Sequence, residues 1–206
     1  LVPPRESQVE PFLEMIEKVW MDTYTAEVGQ QTLRSYIPKQ LLLVGSASYN
    51  DDGSTTEGTA EGGRQIVLYS VNDFNFELEQ IQSYAHVMHH EFAHILHQNV
   101  EYDAEFEKIT PSYSSSWMQM NDETARSKGF ITAYAFSSAD EDFAEMVSIM
   151  LTNSPEDWDN MIENAGNAAA VEALRKKEAI VVAYMKNNWG VNMKDFQKEV
   201  VAAIEA

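Results

Sequence analysis

All five histidines of the chain fall between His86 and His97. They lie inside a stretch, Glu77 to Gln98, whose apolar residues Leu78, Ile81, Ala85, Met88, Phe92 and Ile95 recur alternately every three and four positions. That spacing predicts an amphipathic helix with its apolar stripe turned to a core. At about 100° per residue, His90 and His94 point to nearly the opposite side. Either the histidines are solvated or the helix is covered on both faces. A helix running between two lobes, with its histidines turned into a cleft, meets both demands. A histidine-rich tract that scavenges metal loosely is the blander alternative.

Within the tract, His90, Glu91 and His94 stand in the order His-Glu-x-x-His. Helix positions i and i+4 share a face and lie about 6 Å apart, so two imidazoles reach one tetrahedral Zn²⁺ while Glu91 sits beside the open position. Zinc with three protein ligands keeps a fourth place for water and lowers its pKa to about 7. Glu91 is then placed to act as general base and afterwards as general acid. This is the geometry of a zinc-dependent peptidase, with a chance match on an exposed helix as its competitor. His86 shares the face but stands eight residues before His94, about 12 Å along the axis, too far for one ion to take all three. His89 and His97 either hydrogen-bond to a ligand or form polar surface, and the second is the expectation here.

Bulk properties narrow the setting. The chain has 206 residues, 44% of them hydrophobic, enough for one domain or two small lobes sharing a cleft. Fourteen basic against 33 acidic residues give a formal charge of −19, which repels phosphate backbones and anionic lipid, so nucleic acid is not an expected partner. No apolar run approaches bilayer length. The opening Leu1-Val2-Pro3-Pro4 has no charged start or apolar core of a signal peptide, so any export signal is expected upstream of Leu1. With no cysteine in the chain, a zinc site must be built from imidazole and carboxylate. The lack of cysteine leaves the compartment open.

Along the chain, Phe12, Met15, Ile16, Val19 and Trp20 predict a helix from Gln8 to Val28, stopped in the left-handed conformation at Gly29. Lys39 to Tyr49 and Arg64 to Val71 read as strands, neighbours in a small antiparallel sheet, with a long mobile polar loop from Asn50 to Gly63 between them. The second of these strands is expected to expose an edge on which an extended peptide could add. Val100 to Phe130 reads as short turns and loop. Helices follow over Ala139 to Leu151, Pro155 to Glu163, Ala168 to Asn188 with a stop at Gly190, and Met193 to the terminus. The class is α+β with a mainly helical second half.

A third zinc ligand must be an Asp or Glu from another element. Glu141 and Glu145 stand four apart in Ser138-Ala-Asp-Glu141-Asp-Phe-Ala-Glu145, on one helix face, so one can bind metal while the other orients an imidazole. Ser138-x-x-Glu141 is also a helix capping box. Spacing alone does not choose between the two glutamates.

A His-Glu-x-x-His followed by a glutamate on a later helix resembles the gluzincin metallopeptidases, and EDFAE at Glu141 to Glu145 is similar to the Glu-x-Phe-Ala-Glu segment of the anthrax lethal factor group. In that group the first glutamate binds zinc, and a tyrosine seven residues earlier, here Tyr134, stabilises the tetrahedral intermediate. The strings HHEFAHILHQ and YAFSSADEDFAEM resemble zinc-binding metallopeptidases carried as surface lipoproteins by Bacteroidetes. The resemblance implies a zincin-like α+β fold, with a small antiparallel sheet packed on the active-site helix. It implies one domain over 1–206, an N-terminal lobe of 1–100 and a helical lobe of 101–206 that supplies the third ligand. It further implies one zinc on His90, His94 and Glu141, with Glu91 as base, Tyr134 as oxyanion donor and Glu145 bonded to a zinc-bound imidazole. The substrate would be a peptide or protein. The protein would be exported and held at the bacterial envelope by a lipidated cysteine upstream of Leu1. Two rivals remain from other classes: an envelope protein that binds glycan or protein and keeps a non-catalytic zinc, and a metal-storage module.

Overall fold

A computed structural model describes residues 1–50, 53, 55–61 and 64–206. The chain forms two compact units, one of residues 1–98 with 202–206 and one of residues 99–201.

The first unit opens with α1 (Glu6–Ile16), which continues through a π-helical stretch, Glu17–Asp22, into α2 (Thr23–Val28). Phe12, Met15, Ile16, Val19 and Trp20 are buried along it, as their spacing predicts. The Thr23 hydroxyl donates to the carbonyls of Val19 (3.2 Å) and Trp20 (2.8 Å) at the end of the widened stretch. Gly29 takes φ 80° and ψ 149°, which suits glycine but is not the expected left-handed helix stop. The chain instead kinks and re-enters a helix, α3 (Gln30–Tyr36). Only Leu33 of that helix is buried, too little apolar periodicity for the sequence to reveal it.

The sheet differs from expectation. β1 (Gln40–Leu43) and β5 (Gln65–Leu68) pair in parallel, and β4 (Gly58–Glu61) pairs with β5 antiparallel, in the order β1-β5-β4. The sheet is therefore mixed, and the strand expected at an edge is the central one. Its burial agrees, since Ile66, Val67 and Leu68 are buried in succession, the signature of a strand covered on both faces. Lys39 to Tyr49 is divided into β1 and β2 (Ser48–Tyr49), and β2 makes a two-stranded ladder with β3 (Thr55–Thr56). The polar segment read as one loop thus contributes β3 and β4, while 51, 52, 54, 62 and 63 lie outside the described residues. Gly-Thr-Ala-Glu lacks apolar alternation, so β4 is held by ladder bonds that composition does not announce.

Against this sheet packs α4 (Leu78–Asn99), a helix of 22 residues. A Cβ at Gly58 would collide with Val87, so the β4 backbone lies directly on the helix. Ser83 donates to the Glu57 carboxylate (2.5 Å) and the Tyr84 hydroxyl to the Tyr69 carbonyl (2.7 Å). Ala85, Met88, Phe92 and Ile95 of the stripe are buried, but Leu78, in the first turn, is 54% exposed. Phe92 meets the rings of Trp20 and Tyr24 edge-on at 5.5 and 4.8 Å. His90 and His97 are buried too, so α4 is covered around most of its circumference.

The second unit is helical: α5 (Glu105–Ile109), a 3₁₀ turn Ser115–Gln119, α6 (Asp122–Arg126), a 3₁₀ turn Tyr134–Phe136, α7 (Ala139–Thr152), α8 (Pro155–Glu163) and α9 (Ala168–Tyr184). Asn121, Ser138, Ser154 and Asn167 each accept an amide N–H at the start of a helix, worth about 1 kcal/mol apiece. Helix α9 runs on through a π-helical stretch, Met185–Trp189, to Gly190 at φ 75° and ψ 6°, the left-handed stop expected there. Helix α10 (Met193–Glu205) closes the chain. No helix among the described residues is long and apolar enough to cross a membrane.

Candidate metal centre

Helix α4 carries its two key imidazoles one turn apart, and their Nε2 atoms lie 3.1 Å from each other. Two nitrogens at zinc-bond length from one tetrahedral ion stand about 3.3 Å apart. Two bare lone pairs would repel at such a distance, so the pair is stable only around a proton or a cation. Glu91 follows His90 on the same turn and is half-buried. His86 meets the ring of His90 at 5.9 Å between centroids, so it neighbours the first histidine of the motif and not the second.

The two remaining histidines correct the sequence reading, since neither is polar surface. His97 is 8% exposed, and its Nε2 lies 2.9 Å from Nδ1 of His94. His89 is fully buried, with Nε2 3.2 Å from the Val19 carbonyl and its ring against Tyr24. Burial pushes its pKa down to about 3, outweighing the opposite pull of the backbone bond. His89 is therefore a neutral donor that ties α4 to the π-helical stretch of the first helix. One residue before His90, it faces a different side of the same turn.

In the second unit, α7 begins with Ser138, whose hydroxyl accepts from the Glu141 N–H at 3.3 Å. The Ser138 half of the capping box is thus present, and it uses the backbone of Glu141, a half-buried residue. Glu145 is buried, and its carboxylate accepts from the Thr132 hydroxyl at 2.6 Å. Thr132 in turn accepts from the Ala135 N–H at 3.2 Å, which links Glu145 to the turn bearing Tyr134. Tyr134 is 38% exposed, with Trp117 edge-on at 4.9 Å.

Sequence reasoning missed the anchor of α7. Asp142, next to Glu141, is fully buried with Lys177 of α9. The ammonium donates to the Asp142 carboxylate at 2.5 Å and to the Gly129 carbonyl at 2.8 Å, and lies 4.1 Å from the centre of the Phe130 ring. The Tyr113 hydroxyl donates to the same carboxylate at 3.0 Å. The half-buried Tyr113 therefore joins this polar cluster. A signal for Lys177 existed: it falls in the buried stripe of Ala170, Leu174, Val181 and Tyr184.

Two imidazoles and a carboxylate are a donor set that catalytic zinc takes, and His90, His94 and Glu141 are of those types. The model of a family described as "Putative zinc-binding metallo-peptidase" matches residues 1–194. The chain belongs to this family. A crystal structure of a "putative zinc-binding metallo-peptidase" from Bacteroides caccae is similar to it, with 34% identity and a TM-score of 0.80 over 94% of this chain and 75% of that one. No curated protein matches the chain. The likeness to a zinc-binding metallopeptidase family stated from the motifs thus holds at the level of the family and of an α+β fold with a small sheet.

Proposed function

We propose that the chain is a zinc-dependent peptidase in which His90, His94 and Glu141 hold one zinc ion and Glu91 is the base. The observation that carries the reading is the 3.1 Å approach of the two Nε2 atoms, with a glutamate on the same turn. Bound there, zinc supplies Lewis acidity and makes water a nucleophile at neutral pH. Glu91 takes the proton of the attacking water and delivers it to the leaving amine nitrogen. Tyr134, 38% exposed and steadied by Trp117, donates to the oxyanion that develops on the scissile carbonyl. Glu145 fixes a zinc-bound imidazole, and Thr132 holds one of its oxygens in place for that task. The substrate is a peptide or protein, acted on outside the cytoplasm by a lipid-anchored protein. The support for that setting is the likeness to bacterial surface lipoproteins.

Replacement of Glu91 by Gln tests the reading. The variant should retain zinc and lose hydrolysis of a proteome-derived peptide library by orders of magnitude. No digestion by the zinc-loaded wild type would overturn it in favour of a binding or storage protein, and digestion by the variant that is unchanged and chelator-insensitive would overturn the zinc mechanism.

A further inference from the structure

His94 is approached at both ring nitrogens by other histidines, His90 at 3.1 Å on Nε2 and His97 at 2.9 Å on Nδ1. A neutral imidazole has one N–H, so it can donate at one of these contacts and not both. With the proton on Nε2, His94 bonds to His90 and has no lone pair for a cation on that side. With the proton on Nδ1, it bonds to His97 and leaves Nε2 bare. We propose that His97 is the positioning residue of the metal centre: its Nε2 accepts the Nδ1–H of His94 and so presents the other nitrogen of that ring to zinc. The inference rests on the zinc reading above.

Three observations carry it. His97 is 8% exposed, so its ring is held and not free to sample solvent. It stands three residues after His94, and the rings meet edge-on at 5.2 Å, so acceptor and ligand ride on one rigid helix with no loop between them. The ligating nitrogen of His94 already faces its partner ligand at the separation one tetrahedral ion needs. Zinc-bound histidines ordinarily give this second N–H to a carboxylate, a carbonyl or water. A neutral imidazole in that place fixes the tautomer without adding charge to a donor set that already contains a carboxylate.

Zinc dissociation constants, measured by competition with a chromogenic chelator, test the assignment in wild type, His97→Leu, His97→Gln and His90→Ala, alongside the melting of each zinc-free protein. His97→Leu should weaken zinc binding about 10–100-fold. His97→Gln, whose side-chain oxygen restores an acceptor, should recover most of that loss even if both variants melt lower. Wild-type affinity in His97→Leu, or equal weakness in the Leu and Gln variants, would overturn the role of His97. Zinc lost in His90→Ala but kept in His97→Leu would refute this inference alone. Zinc kept in His90→Ala would refute the metal reading and this inference with it.

Discussion

Each unit buries one basic side chain beside a proposed zinc ligand, and the two solve the same electrostatic problem in opposite ways. His89, next to His90, gives up its charge: burial holds it neutral, and a single carbonyl satisfies its N–H. Lys177, bonded to the neighbour of Glu141, keeps partners for a charge: a carboxylate, a carbonyl and an aromatic face. Burial lowers the Lys177 ammonium and raises Asp142 to about 6, while each draws the other back toward the ionised form. The comparison teaches that successive helix residues, about 100° apart, let one side chain face the chemistry while its neighbour locks the helix to its own unit. A neutral lock is cheap to lose. A charged one leaves a stranded partner behind.

The largest effect should come from Lys177→Met, which leaves the Asp142 carboxylate buried without its cation and should cost about 3–5 kcal/mol in denaturant unfolding. The double variant Lys177→Met with Asp142→Asn should recover much of this. If the single and double variants are equally damaged, the pair is not the lock described. Acid should act next, and on the first unit. The folded His89 pKa, about 3, lies below the unfolded value of about 6.5, so the unfolded chain binds the proton first. Its contribution is whole above pH 6.5 and declines as pH falls toward 3, about 2 kcal/mol of it between pH 7 and 5. The loss should appear as the difference between wild type and His89→Leu in chelator-treated protein. The smallest effect is that of His89→Leu itself at pH 7, about 1 kcal/mol by thermal melting, because Val19 keeps its bond from Thr23. A cost equal to that of Lys177→Met would erase the contrast.

Much of the helical framework was legible. Ser154 with Pro155, Asn167, and Gly190 mark helix ends by their own chemistry, and the structure places the ends at those residues. The pairing of the sheet was not legible, because β4 is held by backbone bonds through Gly58 and Thr59 and carries no apolar alternation. At the site, the closeness of His90 and His94 follows from helix geometry alone. The burial of His89 and His97 does not, since polarity by itself suggests surface. A sharper reading had a clue for His89: it stands four residues after Ala85 and three before Phe92, on the flank of the buried stripe. What no pattern disclosed is the acceptor, the Val19 carbonyl, which lies where the first helix widens.

That widening sets a rule for how this chain tolerates insertion and deletion. A π-helical turn accommodates one residue more than regular winding would. Excising a single residue between Glu17 and Asp22 would restore an ordinary spiral and leave the segment before it on the same face. Phe12 would then keep the rings of Phe74 and Tyr84 that it meets edge-on at 5.1 and 4.9 Å, whereas a residue removed from the regular turns between Phe12 and Ile16 would swing it away by about 100°.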